Sequence, residues 1–134
     1  MRVFIDSNIL ISALVFDRNE LDVLTHVLRK GHQLVTSNHI HEEVFRVMLE
    51  KLPEHAKLVD EFIRISGMEI VPGAKYLNML DQFDIVRDRK DRHVLAAAVA
   101  AKCEMIITGD NDLLVLKRCQ DVRIVASKGA KKYV

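Results

Sequence analysis

Short apolar runs alternate with helix-length amphipathic stretches from one end of this chain to the other, and that alternation fixes its fold class. The runs are RVFI at the start, then HQLVTS, MEIV, EMIIT and VRIVA. Between them lie NILISALVF, NELDVLTHVLRK stopped by Gly31, NHIHEEVFRVMLEK ending before Pro53, EHAKLVDEFIRIS closed by Gly67, DRHVLAAAVAAKC and DNDLLVLK, all with helical spacing. Residues 73–90 are the least regular part, with a helical turn expected around Tyr76–Leu80. The pattern predicts an α/β fold in three layers, α/β/α, with a central parallel sheet of about five strands covered on both faces. With 134 residues, two prolines, five glycines and no repeat, a single domain over 1–134 is expected.

Composition removes several classes of function. Hydrophobic residues at 49% and charged residues at 29% describe a globular chain rather than a disordered one. A net charge of +1 produces no global field towards nucleic acid or a membrane, so any such contact depends on local patches. Cys103 and Cys119 lack CxxC spacing and are expected as reduced, buried, small side chains. Asp6 and Asn8 interrupt the first apolar run, which excludes a secretory pattern, and no segment approaches roughly 18 consecutive apolar residues. The expectation is a cytoplasmic protein with no membrane contact.

Two of the strands end in acids: VFID at Asp6, and MIITGDND at Asp110 and Asp112. Parallel strands end at one rim, where such sheets place their sites, so these acids can approach one another. A third comes from the helix that starts near Lys90. At ~100° per residue, Val94, Leu95 and Ala98 fall within about 60° of Asp91, so Asp91 continues the buried stripe towards the rim. Ala96, Ala97, Ala98, Ala100 and Ala101 give that helix a smooth surface for close packing on the strands. A fourth acid can come from HIHEEVFRVM, where spacing alone does not choose between Glu42 and Glu43.

Each acid also has a simpler reading. Asp110 can cap the last helix with Asp112 in its dipole, Asp91 can be a first-turn acid, and Asp6 can cap NILISALVF. Three separate caps need not converge on one rim, however, and crowded like charges repel and raise one another's pKa unless a cation bridges them. A hard divalent ion with oxygen ligands, Mg²⁺ or Mn²⁺, removes that cost. Such ions activate water and stabilise in-line displacement at phosphorus. Ser7, Asn8 and Thr108 are placed to orient a carboxylate or water, or else serve ordinary turns. In VRDRKDRH, Arg87, Arg89, Lys90 and Arg92 surround Asp88 and Asp91. This run is either a self-compensating solvated face or a set of phosphate-positioning cations beside the metal, with Lys128, Lys131 and Lys132 able to extend it.

FIDSNILISAL, the acid in the third helix and RDRKDRHVLAAAVAAKCEMIITGDNDLLVL together resemble a PIN-domain nuclease, over Met1 to about Val125. The likeness is to the bacterial PIN proteins that serve as toxin components of toxin–antitoxin systems, related to VapC-like toxins. It implies a metal-dependent endoribonuclease using Mg²⁺ or Mn²⁺, with an RNA substrate and a cognate antitoxin as partner. It places the family's acids on Asp6, Glu43, Asp91 and Asp110, with Asp112 as an auxiliary ligand, and its polar residues on Asn8 and Thr108. Ser7 replaces the usual Thr and keeps the hydroxyl, Arg89 stands where proline is frequent, and ASKGAKKYV lacks the usual proline after the last strand.

Other readings meet specific obstacles. A receiver domain needs an acid pair near strand one and an acceptor Asp after strand three, where MEIVPGAK has none. A haloacid-dehalogenase-type phosphatase needs D-x-D, and DSN breaks it. A zinc enzyme built on His39, His41 and His93 lacks HExxH. The remaining alternative is a PIN fold with weak or lost cleavage that binds RNA or a protein. Val44, Phe45, Met48, Leu49 and Leu52 form a wide apolar arc on the third helix, for burial under the fourth helix or for a homodimer.

Overall fold

The computed structural model describes residues 1–16 and 18–134. Its six-stranded sheet runs β3 (Glu69–Val71), β2 (Gln33–Ser37), β1 (Arg2–Ile5), β4 (Met105–Ile107), β6 (Val122–Val125) and β5 (Arg118–Cys119). All neighbours pair parallel except β5, which returns antiparallel on β6. Phe4 is the hub of the register, opposite Val35 on one side and Ile106 on the other. Successive strand side chains point to opposite faces, and Val3, Phe4 and Ile5 are all fully buried, so helices cover both faces of the sheet.

The helices are α1 (Ser7–Ile11), continued by a π-helical stretch at Ser12–Phe16, then α2 (Arg18–Arg29), α3 (Asn38–Lys51), α4 (Lys57–Ser66), α5 (Arg89–Ala100), α6 (Asn111–Leu114) and α7 (Ser127–Ala130). Local chemistry sets their ends. The Ser37 hydroxyl accepts the Ile40 N–H at 3.1 Å to cap α3, and Gly67 closes α4 at φ +69, a backbone state costly for other residues. Val94, Leu95, Ala96, Ala97 and Ala98 of α5 are all buried, so the alanine-rich surface brings this helix close to the sheet.

The irregular stretch 73–90 becomes two 3-10 turns, Gly73–Lys75 and Leu77–Phe83, anchored by the buried Tyr76, Leu80, Phe83 and Val86. The Tyr76 hydroxyl donates to Asn38 Oδ1 at 2.7 Å, tying the stretch to the start of α3. On α3, Val44 and Met48 are buried, whereas Leu49 is 49% exposed, so the apolar arc is only partly covered.

The one strand that the apolar runs did not announce is β5. DNDLLVLK leaves the helix after Leu114, because Lys117 adopts φ +61 and turns the chain into a hairpin through Gln120 at φ +52. The chain runs from β1 outward to β2 and β3, then crosses back to β4 on the other side of β1. The carboxyl ends of β1 and β4 therefore flank the switch point, where sheets of this kind open a crevice.

Candidate metal centre

Asp6 directly follows β1 and is 4% exposed. Its Oδ1 accepts the Ser7 N–H at 2.7 Å, which caps α1, and its Oδ2 accepts the Thr108 hydroxyl at 2.6 Å. The Thr108 hydroxyl in turn accepts the Asp110 N–H at 3.0 Å, and Asp110 Oδ1 accepts the Asp112 N–H at 2.9 Å. A continuous chain of hydrogen bonds thus locks the end of β1 to the loop after β4. Asn8 seals the same junction by accepting the Gly109 N–H at 3.3 Å. A Cβ on Gly109 would stand 2.9 Å from Asn8 Nδ2, so any other residue there would have to displace the Asn8 side chain.

Asp91 enters from the first turn of α5 and is 3% exposed. One oxygen from each of Asp91, Asp110 and Asp112 lies within 4.8 Å of the others. Burial, then the charge and hydrogen bond of Asp110, and then Asp88 and Asp6 push the Asp91 carboxyl up to about 7. Burial also raises Asp6, against the lowering effect of Thr108, Ser7 and Lys90.

Glu43 reaches the rim from α3. Its Oε2 takes the Lys90 ammonium at 2.6 Å, while Oε1 is buried with no partner. Burial lowers Lys90, but the bond to Glu43 and the charges of Glu43, Asp6 and Asp110 outweigh it and leave the ammonium raised. Glu42 is exposed and makes no such contact.

The structure sorts the sequence candidates. Asp91, Asp110 and Asp112 converge. Asp6 joins them through Thr108, and Glu43 joins through Lys90 rather than as a member of the close trio. Of the four cations considered for phosphate contact, Lys90 is spent on Glu43 and Arg92 donates its Nε–H to the Val86 carbonyl at 2.9 Å. Arg87 and Arg89 are exposed and form no ion pair among the described residues. Lys128, Lys131 and Lys132 are also exposed. The internal counter-ion role of Lys90 escaped the sequence because nothing local links it to a glutamate 47 residues away.

The histidines do not build a site. His39 and His93 stack ring on ring at 4.2 Å, and His41 pairs with Asp60 at 2.9 Å. Cys103 and Cys119 are free and buried, the Cys103 thiol pushed up to about 12 by burial.

The all-oxygen set fits a hard divalent cation. Three carboxylates converge, and among the described residues Glu43 Oε1, on the side chain that pairs with Lys90, is a buried acceptor without a hydrogen-bond donor. Among the described residues, no helix is long and apolar enough to cross a membrane.

A comparison with known structures finds VapBC2 from Rickettsia felis, solved bound to a DNA fragment from its promoter. The likeness has a TM-score of 0.67 at 17% identity, over 92% of this chain and 97% of that one, and it concerns the fold. No curated protein gives a significant match. The family model described as PIN domain matches residues 2–112, from the first strand through the acidic loop, and this chain belongs to the PIN-domain family.

Proposed function

We propose that the protein is a metal-dependent endoribonuclease that hydrolyses RNA phosphodiester bonds, acting as a single domain over residues 1–134. The observation that carries this reading is the convergence of Asp91, Asp110 and Asp112 within 4.8 Å at the switch point of a PIN fold. These three would hold Mg²⁺ or Mn²⁺, with Asp6 and Glu43 completing the acidic wall. A bound divalent cation supplies charge neutralisation at the phosphate and a water acidified enough to attack phosphorus.

The chain's own groups hold that arrangement rigid. Thr108 and the Ser7 N–H fix both oxygens of Asp6, and Lys90 fixes one oxygen of Glu43. Thr108 donates its only proton to Asp6, so it is a positioning group rather than a nucleophile. On this reading the attacking species is water and no covalent intermediate forms; Cys103 and Cys119, both buried, offer no exposed thiol. Arg87, exposed at the edge of the cleft that Asp91 and Asp112 line, and Arg89, exposed at the start of α5, would meet backbone phosphates.

The VapC-like fold supports a toxin role in the cytoplasm with a cognate antitoxin as partner, and the half-covered face of α3 supports a homodimer. Asp6→Asn and Asp91→Asn test the catalytic reading. Each should abolish Mg²⁺- or Mn²⁺-dependent cleavage of RNA while the circular-dichroism spectrum stays unchanged. Full activity in either variant defeats the assignment.

A further inference from the structure

The acidic rim already carries one cation of its own, the Lys90 ammonium. It lies 2.6 Å from Glu43 Oε2, and its charge also interacts with Asp6 and Asp110. The Glu43 side chain is 15% exposed against 47% for Lys90, so the carboxylate is the buried member of the pair. Helix α5 does not call for a cation at this position. Lys90 stands in its first turn, where the helix dipole favours acids and disfavours an ammonium. The cap fixes the residue there, because Asp88 Oδ1 accepts the Lys90 N–H at 3.0 Å. Consecutive residues of α5 therefore serve the rim in opposite senses: Asp91 joins Asp110 and Asp112, and Lys90 reaches across to Glu43 on α3.

A second divalent ion beside the trio would need acids of its own. Centres with two ions hold them about 3.5–4 Å apart, as a clamp on the attacking and leaving oxygens. The acids left outside the trio are Asp6 and Glu43. Both Asp6 oxygens accept protons, from the Ser7 N–H and the Thr108 hydroxyl, and Glu43 Oε2 accepts the ammonium. Of these oxygens only Glu43 Oε1 has no donor among the described residues. A divalent ion that approached Glu43 would meet a like charge at contact distance, or would have to displace it.

We propose that Lys90 supplies the second cation of this centre, so that the chain holds one divalent ion at the trio and the ammonium keeps a second ion off Glu43. The proposal rests on the metal-dependent reading of the site and names how its negative charge is shared. An ordinary surface ion pair accounts for the contact less well. A pair kept for stability alone does not explain a buried Glu43 oxygen left without a donor, which is a costly arrangement. An acid poised to take a metal ion, and held by a tethered substitute for one, leaves such an oxygen as a matter of course.

The test counts Mn²⁺ bound per full-length chain, by titration against the electron paramagnetic resonance signal of free Mn²⁺. The parent should saturate at one ion. Lys90→Ala should saturate at two, with a spin-coupled signal from the neighbouring pair, and the double variant Lys90→Ala, Glu43→Gln should return to one. Two ions on the parent overturn the proposal and leave the nuclease reading standing. One ion on Lys90→Ala makes the contact a plain ion pair and overturns it likewise. Two ions on the double variant place the added ion away from Glu43 and also overturn it. No ion on the parent or on either variant overturns this proposal and the metal-dependent reading together.

Discussion

Replacing Asp91 with asparagine is expected to stabilise the metal-free protein even as it removes activity. The Asp91 carboxyl stands at about 7 against an ordinary value of 3.8, through burial first and Asp110 second. A carboxyl raised by folding is held protonated more tightly in the native state than in the unfolded chain. Its penalty is therefore absent below about pH 4, grows with rising pH and is complete above about pH 7. The whole shift corresponds to about 4 kcal/mol. Asp110 shares the titration and Asp112 leaves one side of the trio open to water, so about 2 kcal/mol is the expected net effect. Asparagine never charges, and its amide can donate to Asp110 as the protonated acid does. Urea unfolding in chelator should therefore show Asp91→Asn more stable than the parent by about 2 kcal/mol at pH 8, and by less than about 1 kcal/mol at pH 5. Excess Mn²⁺ should reverse the order, because only the parent gains stability by binding it. A gain that is absent at pH 8, or equal at both pH values, refutes the reasoning.

Three further outcomes follow from particular contacts. Thr108→Val keeps the shape of a fully buried side chain but removes the 2.6 Å donor to Asp6, and should cost about 2 kcal/mol in thermal unfolding; a loss near zero would show that water replaces the hydroxyl. Lys90→Ala strips Glu43 of its one partner among the described residues and, with the lysine 47% exposed, should cost about 1 kcal/mol in chelator. Mn²⁺ should restore most of that loss, and a deficit unaffected by metal would separate Glu43 from the centre. Phe45→Glu and Leu49→Glu should halve the mass in size-exclusion of a dimeric parent, and an unchanged mass moves self-association away from α3.

Periodicity made most of the framework legible, and it failed where backbone state rather than side-chain type decides. RVFI and MII are apolar because both sheet faces are covered, so their strands and the acids that end them could be read directly. The β5–β6 hairpin could not, because its left-handed positions fall on Lys117 and Gln120, residues that carry no turn signal. Asp91 is legible on the buried stripe because Val94, Leu95 and Ala98 share its side of α5, and all four are buried. Spacing left Glu42 and Glu43 open and only the family resemblance pointed to Glu43; its bond to Lys90 joins two helices far apart in sequence and could not be read from spacing.

Capping and metal binding are not rival explanations of these acids. Asp6 caps α1, Asp110 caps α6, and the cap of α5 is Asp88, whose Oδ1 accepts the Lys90 N–H at 3.0 Å. Backbone N–H groups thus offset part of the charge on Asp6 and Asp110 whether or not an ion is present. Asp91 sits inside the first turn of α5, where its carboxylate accepts no backbone N–H among the described residues, and it converges on Asp110. The repulsion at the rim therefore concentrates on one residue, which must either keep its proton or share a cation. Burying Asp91 at 3% exposure without a compensating donor is costly for a structure that needs only a folded core. A cation at the trio would remove that cost, and this imbalance supports the proposed metal site over helix capping alone.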